Sequence, residues 1–474
     1  MLKTKLGIFL RRYTFLSVFF MFHVALAIAI GPTSIFAPDE QGYLYTLNNL
    51  YGAQIDTNPQ YGSGWISTSK LFLWLAYLPA KIMMLLNFPD YLALRILSII
   101  TITICLLIMR HLQVQSGESS RRFLALVLWF SVPSIFIWST LGLREPFLIT
   151  ELGLILVGTT LFMSKGQYRY LSMIFIGSFG FLSTKNYQWL ILAAAVMIAS
   201  IFFFILTRAN IRVVLKFLIS FAVLPLLVYA LTTPSNSLLF IFRADPTAIA
   251  ERSGDSVIEI SIPEEFKMGN ATGNATGNAT GNATGNATGN ATVRIYGGTT
   301  LVSFHEYLVN NPNSISARFM KMTNLDKLIY DNYVERISES IALNNSPEQS
   351  IDKSYILQPG TFNAPFSIFK ASAIFLLGPP PFSGDFLSTR NILSLETPIW
   401  WLLLILLVNG FFRANKGEVF KDISSLIAFL YSCGVVASAG VIEVNLGTAF
   451  RHRSLLFVPF LFLLIKFRTM KKVQ

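Results

Sequence analysis

The chain has 474 residues, 53% hydrophobic and 13% charged, with a mean hydropathy of +0.55 and 41 phenylalanines. A soluble globular domain carries about 25% charged residues, and the apolar residues here gather in long runs, so a water-soluble fold is excluded in favour of a polytopic membrane protein. The formal net charge of +12 does not point to nucleic acid, because the basic residues fall in short clusters between the apolar runs.

The chain opens on Lys3, Lys5, Arg11 and Arg12, followed by an apolar run at 13–31. A signal peptide has this form. However, no clear small-x-small cleavage site precedes the acidic loop and many runs follow, so the segment is read as a retained first helix. A membrane span needs roughly 20 apolar residues. Further spans are expected at 90–109, 122–140, 145–163, 168–184, 188–207, 213–232, 395–413, 420–441 and 453–468, about ten in all. The expected fold class is therefore an all-α polytopic membrane protein.

The segment 70–87 is also apolar, but it is short and contains Pro79 and Lys81. It is expected to lie along the membrane interface. If it crossed, every later basic cluster would change sides. Those clusters (Arg110, Arg121, Arg122; Lys165, Arg169; Arg208, Arg212, Lys216; Arg413, Lys416, Lys421; Lys466, Arg468, Lys471, Lys472) occupy every second connection. This is the positive-inside pattern, and it predicts cytoplasmic N- and C-termini.

Three regions follow. An N-terminal membrane module at 1–232 includes a first exterior loop at 32–89. A large exterior loop at 233–394 carries 14 acidic and 11 basic residues and so adds nothing to the positive excess. A C-terminal membrane module covers 395–474. Within the large loop, Gly269-Asn270-Ala271-Thr272 is repeated six times through Thr292. A period of four fits neither a strand nor an amphipathic helix, and these residue types cannot bury a core, so 269–292 reads as a flexible linker. Each Asn-Ala-Thr also matches the N-glycosylation acceptor pattern, though perfect tandem repetition points to repeat expansion. The stretch 301–345 has mixed helical periodicity and is expected to form two short helices.

Cys105 and Cys433, the two cysteines, lie in apolar runs, which excludes a disulfide framework in the loops. His23, His111, His305 and His452 are scattered and form no metal motif. The polar residues that the topology brings to the exterior face are more informative. Asp39 and Glu40 follow Pro38, which stops the first helix. Arg144 and Glu145 open the fourth span, Lys185 closes the fifth, and Arg451, His452 and Arg453 open the last. Each alone reads as a snorkelling side chain or an interfacial ion pair. Together they put carboxylates suited to general-base work or cation binding beside arginines suited to a phosphate. Such a pairing suggests a phosphorylated leaving group displaced by a hydroxyl.

Several stretches resemble the GT-C superfamily of membrane glycosyltransferases, which use polyprenyl-phosphate-linked sugars. Pro38-Asp39-Glu40 is similar to the family's first exterior loop. Leu92-Ala93-Leu94-Arg95-Ile96-Leu97-Ser98 resembles the opening of its second helix. Glu145 falls where many members place a second acidic residue. Gly177 through Lys185 resembles a Gly-rich helix ending in Thr-Lys, and Phe450-Arg451-His452-Arg453 through Pro459 resembles the entry to a late helix. The resemblance covers about 1–190 and 440–468. It implies that Asp39 is the catalytic base, that Glu40 binds the acceptor or a divalent cation, and that Glu145 is a second site carboxylate. It also implies that Arg144, Lys185, Arg451, His452 and Arg453 hold the lipid phosphate. No cofactor beyond that cation is implied. The implied partners are a polyprenyl-phosphate-linked sugar, a glycan, lipid or protein acceptor, and the bilayer of a bacterial inner membrane, with no nucleic acid. The chain departs from the family in having its long loop between the seventh and eighth spans and no C-terminal soluble domain.

Two other readings stay open. An O-antigen or capsule polymerase or ligase also has one large exterior loop and relies on its arginines, so that Arg318, Arg336, Arg390 and His305 would carry the chemistry. A transporter of lipid-linked glycans is less favoured, because no repeat of halves is visible and the ionisable residues lie at one face rather than at mid-membrane.

Overall fold

The computed structural model describes residues 2–32, 40, 43, 44, 47, 70–89, 91–117, 122–208, 210–232, 366–378, 381, 394–442 and 446–470. Helices make up its regular structure, with no strand among the described residues. The chain divides into two units. The first comprises Met1–Ser237, Pro398–Val435 and Ser454–Gln474, and the second Leu238–Thr397 and Val436–Arg453. The repeat linker, the segment 301–345, and Arg318, Arg336, Arg390 and His305 lie outside the described residues.

The first unit begins with α1 (Leu2–Ile30), α2 (Lys70–Leu85), α3 (Tyr91–Gln115), α4 (Arg122–Phe130), α5 (Pro133–Thr140) and α6 (Glu145–Lys165). It continues with α7 (Arg169–Thr184), α8 (Asn186–Thr207), α9 (Ile211–Leu218) and α10 (Leu224–Thr232). Helix α11 (Phe366–Leu377) belongs to the second unit. It is followed by α12 (Thr397–Arg413), α13 (Lys416–Lys421), α14 (Ile423–Ile442), α15 (Leu446–Arg453) and α16 (Phe457–Thr469).

Each segment expected to span the membrane is helical. Length and composition alone qualify four: Tyr91–Gln115, Glu145–Lys165, Asn186–Thr207 and Ile211–Ala230. A fifth is added if α4 and α5 count as one span. The expected count of ten is thus not reached on these grounds. The apolar parts of α1, α12 and α14 are 17 residues long or less, α7 has 16 residues and α16 has 13. The expected helix 122–140 is broken, with α4 and α5 bent by 64°. Pro133 is the physical cause. It has no N–H for the helical ladder, and it holds Val132 in extended conformation at ψ 133°.

Helix α6 is the centre of the first unit and α8 lies at its edge: 78% of the apolar window of α6 is buried, against 28% for α8. Pro146 fits the first turn of α6, where an N–H would go unused, and Gly166 ends it in the left-handed region at φ 66°. Helix α3 is tied to α6 and the turn before it by side-chain bonds to backbone carbonyls: Ser98 Oγ donates to Leu143 O at 2.8 Å and Thr150 Oγ1 to Thr101 O at 2.8 Å. Helices α6 and α7 approach closely where glycines face the partner helix. A Cβ at Gly177 would lie 2.6 Å from the Glu151 carbonyl oxygen, and one at Gly158 would lie 3.2 Å from that of Tyr170. Small residues at such crossings are how helices associate where no water drives them together. The exposed residues of α8, among them Met197, Ile201, Phe202 and Ile205, give an apolar outer face suited to lipid.

Helix α2 coincides with the segment expected at the interface. Its Phe72, Leu73, Ala76 and Ala80 are buried in a core shared with Tyr43, Leu47, Leu94, Trp138 and Phe147. Its Leu75, Leu78, Ile82 and Leu85 are exposed. The described part of the first loop therefore packs back onto the bundle.

Between α9 and α10 the chain makes a π turn at Ile219–Val223. Ser178 of α7 donates to the carbonyl of Phe221 in this turn at 2.5 Å and accepts from Trp189 Nε1 of α8 at 2.8 Å. The Trp189 and Phe221 rings stack at 5.8 Å. The buried hydroxyl thus occupies a position where the helical ladder is locally rearranged.

Candidate active site

One end of the first unit collects several buried charged residues. There α1 ends, α3 begins, α5 ends, α6 begins and α7 gives way to α8. Arg95, in the second turn of α3, is completely buried. Its Nε and Nη2 donate to Glu40 Oε1 and Oε2 at 2.7 and 2.8 Å, and its Nη1 donates to the carbonyl of Ala27 at 2.7 Å. The guanidinium also lies 4.5 Å from the centre of the Tyr91 ring. Glu40 Oε1 accepts a further bond from the Gly142 N–H at 2.9 Å. Glycine is required at 142 because a Cβ there would stand 2.6 Å from Leu94 Cβ and 2.8 Å from that same carboxylate oxygen. Both oxygens of Glu40 are thus already hydrogen-bonded, and the residue braces the first loop against α1, α3 and the α5–α6 turn.

Glu145 is the first residue of α6 and is buried. A carboxylate is favoured there by the positive end of the helix dipole. Arg144, just before it, donates from Nη1 to the carbonyl of Thr184 at 3.4 Å. Lys185 lies between α7 and α8, capping the end of one helix and the start of the next. It is 1% exposed, with its ammonium 5.1 Å from the centre of the Tyr187 ring. The C-terminal end of α7 favours a cation there, while the start of α8 opposes it.

Glu151 is a further buried carboxyl of this end, at 3% exposure. Thr184 Oγ1 donates to its Oε1 at 3.5 Å, and its Oε2 has no hydrogen-bond partner among the described residues. Gly180 supplies the space it occupies, since a Cβ there would collide with the carboxyl. Thr184 consequently links two ionisable residues, Glu151 through its hydroxyl and Arg144 through its carbonyl.

In the second unit, α15 carries Arg451, His452 and Arg453 in its last turn. His452 and Arg453 are buried and Arg451 is partly exposed. Arg453 Nη1 donates to the carbonyl of Gly378 at 2.9 Å, just past the end of α11, and its guanidinium lies 4.2 Å from the centre of the Phe450 ring.

The structure therefore brings Glu40, Arg144, Glu145 and Lys185 to one end of the first unit. It describes Arg451, His452 and Arg453 within the second, and Asp39 lies outside the described residues. Among the described residues no group of three or more His, Cys, Asp or Glu side chains is placed to hold a metal ion. Reading the sequence gave no role to Arg95 or Glu151. The available signal was an ionisable residue inside an apolar span, a costly placement that usually marks a pathway or a site.

No family model, no curated protein and no solved structure matches this chain.

Proposed function

We propose that this protein is a membrane glycosyltransferase. It transfers a sugar from a polyprenyl-phosphate donor to a glycan, lipid or protein acceptor on the exterior face, in the assembly of cell-surface polysaccharide. The observation that carries this reading is that Arg144, next to buried Glu145 at the start of α6, donates to the carbonyl of Thr184, the residue before buried Lys185 at the end of α7. Carboxylates and cations held together at the end of a helical bundle suit a reaction in which a hydroxyl is deprotonated and a phosphate departs.

In this reaction Asp39 takes the proton of the acceptor hydroxyl. The hydroxyl oxygen bonds to the anomeric carbon, and the bond from that carbon to the phosphate oxygen breaks. The polyprenyl phosphate leaves with the bonding electrons, its charge balanced by Lys185 and Arg144. The transition state has oxocarbenium character, as sugar transfers generally do. Glu40, already bound to Arg95 and Gly142, serves to fix the chain next to Asp39. The turn from Arg451 to Arg453 keeps the phosphate-binding role that the resemblance to GT-C enzymes implies. On this reading the protein crosses a bacterial inner membrane about ten times in a GT-C-like arrangement, with both termini in the cytoplasm. The basic residues at the opposite end of the first unit support that orientation.

The test is the lipid-linked glycan profile of cells carrying Asp39→Asn at wild-type protein level. Build-up of both unmodified acceptor and sugar-charged polyprenyl phosphate is expected. An unchanged profile, together with loss of glycan assembly in Arg318→Ala, would instead assign the chemistry to the arginines of the long loop, as in a polymerase.

A further inference from the structure

The end of the first unit remote from Glu145 and Lys185 carries a group of cations that the proposed reaction does not use. Lys165 closes α6, Arg169 opens α7, Lys216 lies in the second turn of α9, and His111 near the end of α3 is within electrostatic reach of Lys165 and Arg169. All of their hydrogen-bond partners are neutral. Lys165 Nζ donates to Gln115 Oε1 at 2.6 Å, Lys216 Nζ to the Tyr168 hydroxyl at 2.8 Å, and Arg169 Nη2 to the Tyr170 hydroxyl at 3.0 Å. No carboxylate pairs with any of these three cations among the described residues.

Helix dipoles add to the positive potential. The first turns of α7 and α9 contain no acidic residue, and Arg169 and Arg212 occupy the ends where the dipole favours an anion. Two helix starts and several cations held by neutral partners among the described residues give a positive potential that an anion would relieve. Next to them the surface turns apolar, with Val114, Ile176, Ile211 and Leu215 exposed and the Tyr168 ring standing between the two zones. A cationic cluster above an apolar flank, with tyrosine at the boundary, is complementary to a molecule with an anionic head and hydrocarbon tails.

We infer that His111, Lys165, Arg169 and Lys216, with Tyr168, form a binding site for the phosphate of an anionic phospholipid, whose tails lie along the exposed flank of α3, α7 and α9. The site is independent of the sugar-transfer reading. The apolar flank argues for a lipid rather than a soluble phosphate.

The test uses the full chain in nanodiscs of phosphatidylcholine alone and of phosphatidylcholine with phosphatidylglycerol in a three-to-one mixture, with thermal unfolding as the readout. Phosphatidylglycerol should raise the wild-type melting temperature. The triple variant Lys165→Gln, Arg169→Gln, Lys216→Gln should lose more than half of that rise, while Lys421→Gln should keep it. If the triple variant does not fold in phosphatidylcholine, Lys165→Gln and Lys216→Gln are measured singly, and each should diminish the rise. An undiminished rise in these variants, or no rise in the wild type, overturns the site. Inorganic phosphate reproducing the rise in phosphatidylcholine nanodiscs also overturns it, by assigning the cluster to a soluble anion.

Discussion

Arg95 and Glu40 are 55 residues apart in sequence and joined by two hydrogen bonds of 2.7 and 2.8 Å, with Arg95 fully buried and Glu40 nearly so. Removing one member of a buried pair strands the other, at a cost of about 3–5 kcal/mol. Arg95→Ala should therefore lower thermal stability sharply in detergent. Arg95→Met combined with Glu40→Gln should be much less damaging, because no charge is left unpaired. A double-mutant cycle checks this, and additive effects would mean that the two residues are not coupled.

Gly180 and Gly177 make a second, paired prediction. Alanine is the better helix former, so both changes to alanine gain about 1 kcal/mol of propensity. Packing opposes that gain at both positions. At 180 the new methyl meets the Glu151 carboxyl, a side chain. At 177 it meets the Glu151 carbonyl, which is backbone, at 2.6 Å. Overpacking costs about 1–3 kcal/mol, so both variants should melt lower. Glu151→Ala should rescue Gly180→Ala and leave Gly177→Ala unrescued. Rescue of both, or of neither, would contradict the packing of α6 against α7.

Lys185→Ala should weaken the retention of polyprenyl phosphate. A charged hydrogen bond contributes about 1.5–3 kcal/mol, so loss of the ammonium should weaken binding roughly tenfold or more, with Lys185→Arg intermediate. Binding of polyprenyl phosphate to purified protein measures this directly. Equal affinity in Lys185→Ala would remove the residue from the proposed site.

Deleting the repeats at 269–292 should leave sugar transfer nearly intact, since the sequence there offers nothing to bury and no chemistry beyond its glycan acceptors. The glycan profile of cells expressing the shortened chain checks this. Abolished transfer would give the segment an active part.

The membrane-helical class and the separate short helix α2 were legible in the sequence, because hydropathy is a local signal. That Arg144, Glu145 and Lys185 lie at helix ends was legible for the same reason, since each stands at the edge of an apolar run. The engagement of Glu40 was not. Its partner lies on a helix 55 residues away, and no local pattern selects Arg95 over other cations. Glu151 was passed over because it sits inside a run long enough to count as a span despite one carboxyl. The 64° break between α4 and α5 could have been read from Pro133 alone.

Lys185 caps the end of α7 and the start of α8. Its ammonium position therefore follows the angle between an inner helix and one whose apolar surface is mostly exposed. A helix longer or shorter than the surrounding hydrocarbon tilts to fit it. A thicker or thinner bilayer would thus act on α8 as on a lever, with the lysine at its fulcrum, and would retune the proposed phosphate contact without touching any residue of the proposed site.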